Sequence, residues 1–238
     1  MRRQIEGRNP VFEALKAKSS IKKIFIDQNV KPDLKIKKIL DLARIDNVPV
    51  KKINRKVLSK ISRTDNHQGI IAFVEVRPTS LSKILHSSKR PFLIILTEVL
   101  HEQNLGAILR SAEASGVDAV IIPKKTRGVT PVVARVSMGA SEHIPVIEES
   151  LFSVLKQIKK EGIQIIGADQ QAHEVYFKAN LKDSVTFVIG GENKGLTDQI
   201  KERCDKIVKI PLHGQIPSLN MSVAAAILLF EKKRQDLV

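Results

Sequence analysis

The second half of the chain carries five short, almost wholly apolar runs separated by segments of helical length. These runs lie at residues 92–96, 119–123, 163–167, 185–189 and 207–210. Strands that read as unbroken apolar residues are buried on both faces, and their alternation with helices is typical of a parallel sheet covered by helices. We therefore predict an α/β domain over residues 91–238. Ligands of such sheets bind beyond the carboxyl ends of the strands, so the residues after each run are the first candidates for a site.

The first part of the chain predicts a smaller α/β module. Its expected elements are a helix with Asn9 as N-cap and Pro10 in its first turn, a strand near residues 21–26, a helix near 32–47, and strands at 48–53 and 69–76. Residues 78–90 are rich in serine and predict a polar linker with about one helical turn. We therefore expect a module at residues 1–77, the linker at 78–90 and the larger domain at 91–238.

Positive charge is concentrated in the first part of the chain. Residues 1–90 hold 22 basic against 8 acidic side chains, an excess of 14, whereas residues 91–238 hold 18 against 17. Such asymmetry is typical of a surface that neutralises nucleic-acid phosphates. A solvated face whose lysines only keep the chain soluble is the alternative. A membrane-surface arm is disfavoured, because the lysines lie in several short elements without aromatic anchors.

Several classes of site are disfavoured by the composition. Cys204 is the only cysteine, so the chain can form neither an internal disulfide nor a cysteine zinc cage. The six histidines show no pair at the spacing of metal ligands on one helix, so we expect no metal. The longest apolar run, residues 223–230, is far shorter than the roughly 18 residues that cross a bilayer. The first residues are charged and do not resemble a leader, and we expect a cytoplasmic protein with no membrane partner.

Three segments that follow predicted strands carry candidate functional residues. In the first, residues 104–112 (NLGAILRSA), Asn104 is expected as a helix N-cap and Gly116 as the helix stop. Arg110 points about 150° away from the apolar arc of this helix. A solvated arginine beside Glu113, three positions further on, is the simpler interpretation of Arg110 taken alone.

The second segment, residues 185–196 (VTFVIGGENKGL), runs from a strand into a turn that contains Gly190 and Glu192. It matches neither the P-loop nor the dinucleotide fingerprint. Glycine lets the backbone approach a ligand closely, but a tight turn between a strand and a helix explains it equally well. The third segment, residues 210–222 (IPLHGQIPSLNMS), leads into an apolar helix. The simpler interpretation of Ser218 taken alone is an N-cap of that helix, which would explain it without any chemistry.

The three segments in this order closely resemble the three signature motifs of the SpoU/TrmH family of RNA ribose 2'-O-methyltransferases. IEGRNPVFEAL and DNHQGIIAFV also resemble the substrate-binding module of the members that methylate a guanosine of 23S rRNA, and the similarity covers nearly the whole chain. The resemblance implies a knotted α/β SPOUT domain that binds S-adenosylmethionine and works as a homodimer. It also implies a ribosomal-protein-like RNA-binding fold for the first module, which agrees with the excess of positive charge.

The resemblance also assigns roles, position by position in each motif. The loops that would bind S-adenosylmethionine, largely through backbone groups, hold Gly190, Ile210 and Leu219. The catalytic and structural positions of the site are filled by Asn104, Arg110, Glu192, Ser218 and Asn220. The family's proposal makes the arginine a general base, but a guanidinium is rarely neutral in a protein. The alternative is that Arg110 orients the ribose hydroxyl and the adjoining RNA phosphate, which helps to accept the proton.

One stretch departs from the family pattern. Family members usually carry Asp-Pro just upstream of the motif asparagine, where this chain has His101 and Glu102, so we expect the local loop to differ. Three functions stay open at this point: a methyltransferase acting on 23S rRNA, a tRNA methyltransferase of the same fold, and an RNA-binding ribosome-assembly protein with a silent site. The filled motif positions favour an enzyme, and the first module favours rRNA as the substrate.

Overall fold

The structure is a computed structural model that describes residues 2–76, 78–191 and 195–238. It divides into two compact units, the smaller formed by Met1–Pro78 with Val129–His143 and the larger by Thr79–Gly128 with Ile144–Val238. The elements in chain order are β1 (Arg2–Glu6), α1 (Arg8–Lys16), β2 (Ser20–Asp27), α2 (Leu34–Ile45), β3 (Val50–Ile53), α3 (Arg55–Ile61), β4 (Ile70–Glu75), α4 (Leu81–Ser87), β5 (Phe92–Leu96), α5 (Glu102–Ser115), β6 (Ala119–Pro123), α6 (Pro131–Val136), a 3-10 turn (Ala140–Glu142), β7 (Val146–Glu149), α7 (Leu151–Lys160), β8 (Gln164–Ala168), β9 (Glu174–Val175), a second 3-10 turn (Tyr176–Lys178), β10 (Val185–Ile189), α8 (Asp198–Lys201), β11 (Lys206–Lys209) and α9 (Met221–Asp236).

The larger unit is built on a seven-stranded parallel sheet with the order β7-β6-β5-β10-β8-β11-β9. Every residue of β5 and of β10 is buried, which is why both strands read as unbroken apolar runs. β10 lies between β5 and β8, and β11 lies between β8 and β9, so the last two long strands are inserted between strands from earlier in the chain. The predicted α/β domain with a parallel sheet is confirmed.

The segment expected to be a linker contains a helix of the larger unit. The Ser80 hydroxyl accepts a hydrogen bond from the Lys83 amide at 3.3 Å and caps α4. Leu81, Ile84 and Leu85 are buried in the core of that unit. Their i, i+3, i+4 spacing buries one face of the helix, although the surrounding serines give the segment the composition of a linker.

The smaller unit has a four-stranded sheet with the order β1-β4-β2-β3, in which β1 and β2 run antiparallel to β4 and β3 runs parallel to β2. The expected N-cap at Asn9 is wrong, because α1 begins at Arg8 with Gly7 as its N-cap. β1 precedes the helix directly, and the chain turns at Gly7 with φ of 99°, a conformation that favours glycine.

Residues 129–143, which connect β6 to β7, complete the smaller unit. Ala134 of α6 is fully buried in its core. The Arg135 guanidinium donates a hydrogen bond to Thr64 Oγ1 at 3.0 Å. The Glu142 side chain is only 1% exposed and pairs with Arg3 at 2.5 Å. A segment that the sequence places inside the larger domain therefore supplies packing and charge pairing to the smaller unit.

A buried carboxylate holds the loop after α3 in the smaller unit. Glu6 accepts hydrogen bonds from the Gln4 side chain at 2.7 Å, the Ser62 hydroxyl at 2.7 Å, the Arg63 amide at 2.7 Å and the Thr64 hydroxyl at 2.6 Å. Burial alone raises the pKa of Glu6, but these hydrogen bonds outweigh it and the pKa is lowered overall.

Among the described residues, no helix is long and apolar enough to span a membrane.

Candidate functional site

Four parallel strands of the larger unit end side by side at one edge of the sheet. Leu96 of β5, Ile189 of β10 and Ala168 of β8 lie in register. The Thr97 amide donates to the carbonyl of Ile189 at 3.0 Å, and the Asp169 amide donates to the carbonyl of Val208 in β11 at 2.9 Å. The connection that leaves β5 leads to β6 on one side, whereas the connection that leaves β10 leads to β11 on the other side. A switch point therefore lies between β5 and β10. Crevices at such points are the usual ligand sites of open α/β sheets.

The loop after β10 folds back tightly on itself at this edge. A Cβ atom at Gly190 would lie 2.3 Å from the carbonyl carbon of Gly195, so no other residue fits there without moving the backbone. The Gly195 amide donates to the carbonyl of Gly191 at 3.0 Å and closes the loop. Gly195 itself has φ of 58°. The other predicted site residue of this loop, Glu192, lies outside the described residues.

Two carboxylates that the sequence analysis did not single out flank this loop. Glu98 lies in the loop after β5, close to Gly191. A Cβ atom built at Gly191 would lie 2.2 Å from Glu98 Oε2. Asp169, directly after β8, pairs with Lys201 at 2.7 Å. The hydrogen bond to Asp169 raises the pKa of Lys201. Their position just after strands that end at this edge is the signal that could have identified both.

The third motif segment follows β11 to the same edge. Ile210 is 8% exposed, and Leu219 is half-buried, so both offer apolar surface beside backbone polar groups. Ser218 is exposed and does not cap α9, so the simpler interpretation of this residue does not hold. Asn220 is the N-cap, because its Oδ1 accepts from the Ser222 amide at 2.8 Å and from the Ser222 hydroxyl at 2.6 Å.

A hydrogen bond joins the first and third motif segments. Asn220 Nδ2 donates to Asn104 Oδ1 at 3.1 Å, across 116 positions of sequence. Asn104 is not the N-cap of α5 as expected, because His101 caps that helix and Asn104 lies in its first turn. The predicted helix stop at Gly116 is correct, with φ of 82°. The structure therefore brings together two of the predicted site residues, Asn104 and Asn220, in direct contact.

Arg110 lies six positions further along α5 and is exposed. Leu105, Ile108 and Leu109 of the same helix are fully buried, so Arg110 is on the face opposite the core, as its spacing predicts. Within residues 2–76, 78–191 and 195–238, Arg110 forms no ion pair with Glu113, the partner that the simpler interpretation offered. Its guanidinium can therefore be turned toward a ligand without breaking an ion pair inside the described chain.

The geometry can bind a ligand through backbone groups and small apolar surfaces, with the side-chain amides of Asn104 and Asn220 in contact beside them. In the described part of the chain, no group of three or more His, Cys, Asp and Glu side chains could hold a metal ion. The Cys204 thiol is not a candidate nucleophile, because burial, with a smaller contribution from the charge of Asp205, raises its pKa to about 11.

Comparison with known families decides the classification. Residues 91–230 match the model of the SpoU rRNA Methylase family. The chain belongs to this family. Residues 4–79 of this SpoU-family chain also match the family model described as RNA 2'-O ribose methyltransferase substrate binding. The sequence resemblance to the SpoU/TrmH family is therefore confirmed for both parts of the chain.

Individual relatives of this SpoU methylase cover most of its length. It is 36% identical to the 23S rRNA (guanosine-2'-O-)-methyltransferase RlmB of Neisseria meningitidis, over 92% of this chain and 89% of that protein. A solved RNA 2'-O ribose methyltransferase is 29% identical with a TM-score of 0.82, over 100% of this chain and 90% of that one. The SpoU methyltransferase AviRb of Streptomyces viridochromogenes, solved with AdoMet, has a TM-score of 0.86 at 22% identity, over 98% and 90% of the two chains, and so shares the fold.

Proposed function

We propose that this chain transfers the methyl group of S-adenosylmethionine to a ribose 2'-hydroxyl in RNA, with a guanosine of 23S rRNA as the substrate. The observation that carries the proposal is the convergence of the family's motif segments at one edge of the parallel sheet, where Asn220 is hydrogen-bonded to Asn104. Relatives over most of the chain are named for this reaction. With rRNA as the substrate, we also propose that the protein takes part in rRNA processing and acts in the cytoplasm.

The residues at this edge fit S-adenosylmethionine. Gly190, Ile210 and Leu219 would hold it, because the tight loop at Gly190 presents main-chain groups while Ile210 and Leu219 supply apolar surface for an adenine ring. The carboxylate of Glu98 favours a cationic ligand near the loop, whereas that of Asp169 is already paired with Lys201. When bound, the cofactor supplies a methyl carbon on a positively charged sulfur, and its transfer to oxygen leaves a neutral thioether.

Arg110 is the residue that we assign to the RNA ribose. A ribose hydroxyl is a weak nucleophile until its proton is drawn away. Because a guanidinium stays charged, Arg110 would orient the hydroxyl and an adjoining RNA phosphate through two parallel hydrogen bonds, and the phosphate would help to accept the proton. Asn104, Ser218, Asn220 and Glu192 complete the proposed site, with Asn104 and Asn220 fixing the loop that carries Ser218 against α5.

The enzyme is proposed to work as a homodimer. One face of α9 carries apolar side chains at positions i, i+4 and i+7, and Val223 is 47% and Phe230 48% exposed on it. Ile227 between them is half-buried. An apolar face of this kind is stabilised by a second copy that covers it. Sedimentation of Phe230→Glu should give a monomer, whereas Lys233→Gln, which changes the net charge by the same amount, should stay dimeric.

Mapping of ribose methylation in rRNA and tRNA from cells that lack the protein tests the function. We expect one guanosine 2'-O-methyl to be missing from 23S rRNA and to return with the wild-type gene. Arg110→Lys keeps the charge but loses the planar fork, and should lower turnover by about 100-fold or more. Glu113→Gln, on the same exposed face, is the control and should restore the methyl group. A missing tRNA methyl group would identify a tRNA enzyme, and an unchanged map would indicate a silent site.

A further inference from the structure

A large cavity opens at one edge of the sheet in the smaller unit. It has a volume of about 720 Å³, which is within the range of about 300–1,000 Å³ typical of small-ligand sites. β1, β2 and β3 end at this edge and β4 begins there, so four connections meet around it. The residues that line it are Arg8, Asn9, Asn29, Val30, Lys31, Asp33, Lys35, Arg55 and Gln68.

The walls of the cavity are held in place by hydrogen bonds. The Gln68 side chain accepts from the Arg8 amide at 3.0 Å, and the Arg8 Nε donates back to the Gln68 carbonyl at 3.3 Å. Asp27, only 2% exposed, accepts from the Asn29 amide at 3.0 Å and fixes the turn after β2. Asp33 accepts from the Ile36 amide at 2.8 Å and caps α2. The loops are therefore shaped before any ligand arrives.

The lining combines positive charge with amide groups. Four cations face one carboxylate, and that carboxylate, Asp33, is paired with Arg8. Lys35 rests over the Phe12 ring at 4.3 Å, and Arg55 lies 3.6 Å from Asp27 with most of its side chain exposed. The Asn9 and Asn29 side chains carry both donors and acceptors, the groups that read the edge of a base. Guanidinium planes such as those of Arg8 and Arg55 are surfaces on which an unstacked base can lie.

We propose that this cavity binds a single unstacked nucleotide of the RNA substrate, with Lys31 and Arg55 at its phosphates and Asn29 at its base edge. The inference rests on the proposed function and adds that the smaller unit selects RNA in which a nucleotide is unstacked. A continuous duplex presents its phosphates on a convex surface and cannot enter a concave site, whereas a bulged or looped nucleotide can. Sequence-selective recognition of RNA uses such unstacked bases.

Binding of the full chain to two RNA hairpins tests the inference. One hairpin carries a three-nucleotide bulge and the other is fully paired, and fluorescence anisotropy gives both affinities at one fixed salt concentration. The wild-type chain should prefer the bulged hairpin by about tenfold or more. Asn29→Ala and Lys31→Ala should each reduce that preference about tenfold. Lys52→Ala, an exposed lysine of the same unit outside the cavity, should weaken both hairpins equally.

A second measurement covers the case in which a variant fails to fold. A photoreactive uridine in the bulge of the wild-type complex should crosslink to the peptide that contains residues 28–35. Equal affinity of the wild-type chain for both hairpins, or crosslinking only to peptides elsewhere, would overturn the inference. RNA binding is measured apart from methyl transfer. A chain that methylates rRNA but shows no bulge preference refutes only the cavity assignment, whereas failure to methylate any RNA refutes the proposed function.

Discussion

Asn220 performs two tasks that one substitution can separate. Its Oδ1 caps α9 by accepting from the Ser222 amide at 2.8 Å, and its Nδ2 donates to Asn104 Oδ1 at 3.1 Å. Asn220→Asp keeps the acceptor that caps the helix, since aspartate is as good an N-cap as asparagine. It removes the donor and sets a carboxylate against the Asn104 carbonyl oxygen. The helix should therefore stay capped while the link between the first and third motif segments is lost.

The expected magnitudes follow from these two contacts. The cap is worth about 1 kcal/mol, and the hydrogen bond between the two side chains about 0.5–1.5 kcal/mol. Asn220→Ala loses both and should destabilise the chain by about 2 kcal/mol, whereas Asn220→Asp should cost about 1 kcal/mol. Asn104→Ala removes the same hydrogen bond from its other end. The double alanine variant should therefore be more stable than the sum of the single effects predicts, by about 0.5–1.5 kcal/mol.

Urea denaturation of the four chains in this cycle measures the coupling, and methyl transfer to RNA measures the effect on the site. Asn220→Asp should lose activity out of proportion to its small loss of stability, because the loop that carries Ser218 is no longer held against α5. Single effects that add within about 0.3 kcal/mol would refute the side-chain link. Wild-type turnover in Asn220→Asp would refute its role in positioning the loop.

Three further outcomes are expected. Glu6→Gln should destabilise the smaller unit by about 2 kcal/mol, because charge-assisted hydrogen bonds become neutral ones. Since the folded pKa of Glu6 is lowered, the wild-type advantage in acid denaturation should be full above the ordinary pKa of a glutamate and should be lost as the pH falls through the lower folded pKa. Gly190→Ala should weaken S-adenosylmethionine binding at least tenfold by calorimetry, since its Cβ would lie 2.3 Å from Gly195. The control Gly162→Ala lies before β8, at the opposite end of the strands, has nothing within 4 Å of the new Cβ and should bind normally. Cys204, with a thiol pKa of about 11, should react slowly with iodoacetamide at pH 8 in the native chain and rapidly in guanidinium; equal rates would contradict its burial.

Burial decided which strands could be predicted from the sequence. β5, β6 and β10 are apolar because both of their faces are covered, and the expected ranges match the observed bounds. β1 was missed because its sequence, RRQIE, is mostly polar. Its Arg3 is paired with Glu142, and its Glu6 is satisfied by a loop more than fifty positions away. Such partners are supplied by the tertiary structure, so local sequence patterns cannot indicate them.

The candidate site shows the same division between local and distant information. Gly116 was predicted as a helix stop because a left-handed residue there is a local requirement. Ser218 and Asn220 are both residue types that cap helices, and the sequence offers no local reason to choose between them. The bond to Asn104 favours Asn220, and it joins positions 116 apart. The contact that selects the cap could not be predicted from either segment alone.

The passage of residues 129–143 into the smaller unit has a practical consequence for chimeric enzymes. Exchanging only the first 78 residues with those of a relative would leave the native Ala134, Arg135 and Glu142 facing a foreign core and foreign partners. The transplantable piece is therefore discontinuous, made of Met1–Pro78 together with Val129–His143. Substitutions in residues 1–78 should therefore be inherited together with substitutions in residues 129–143. Recombination within residues 79–128 would separate the two stretches and produce chains that fold poorly.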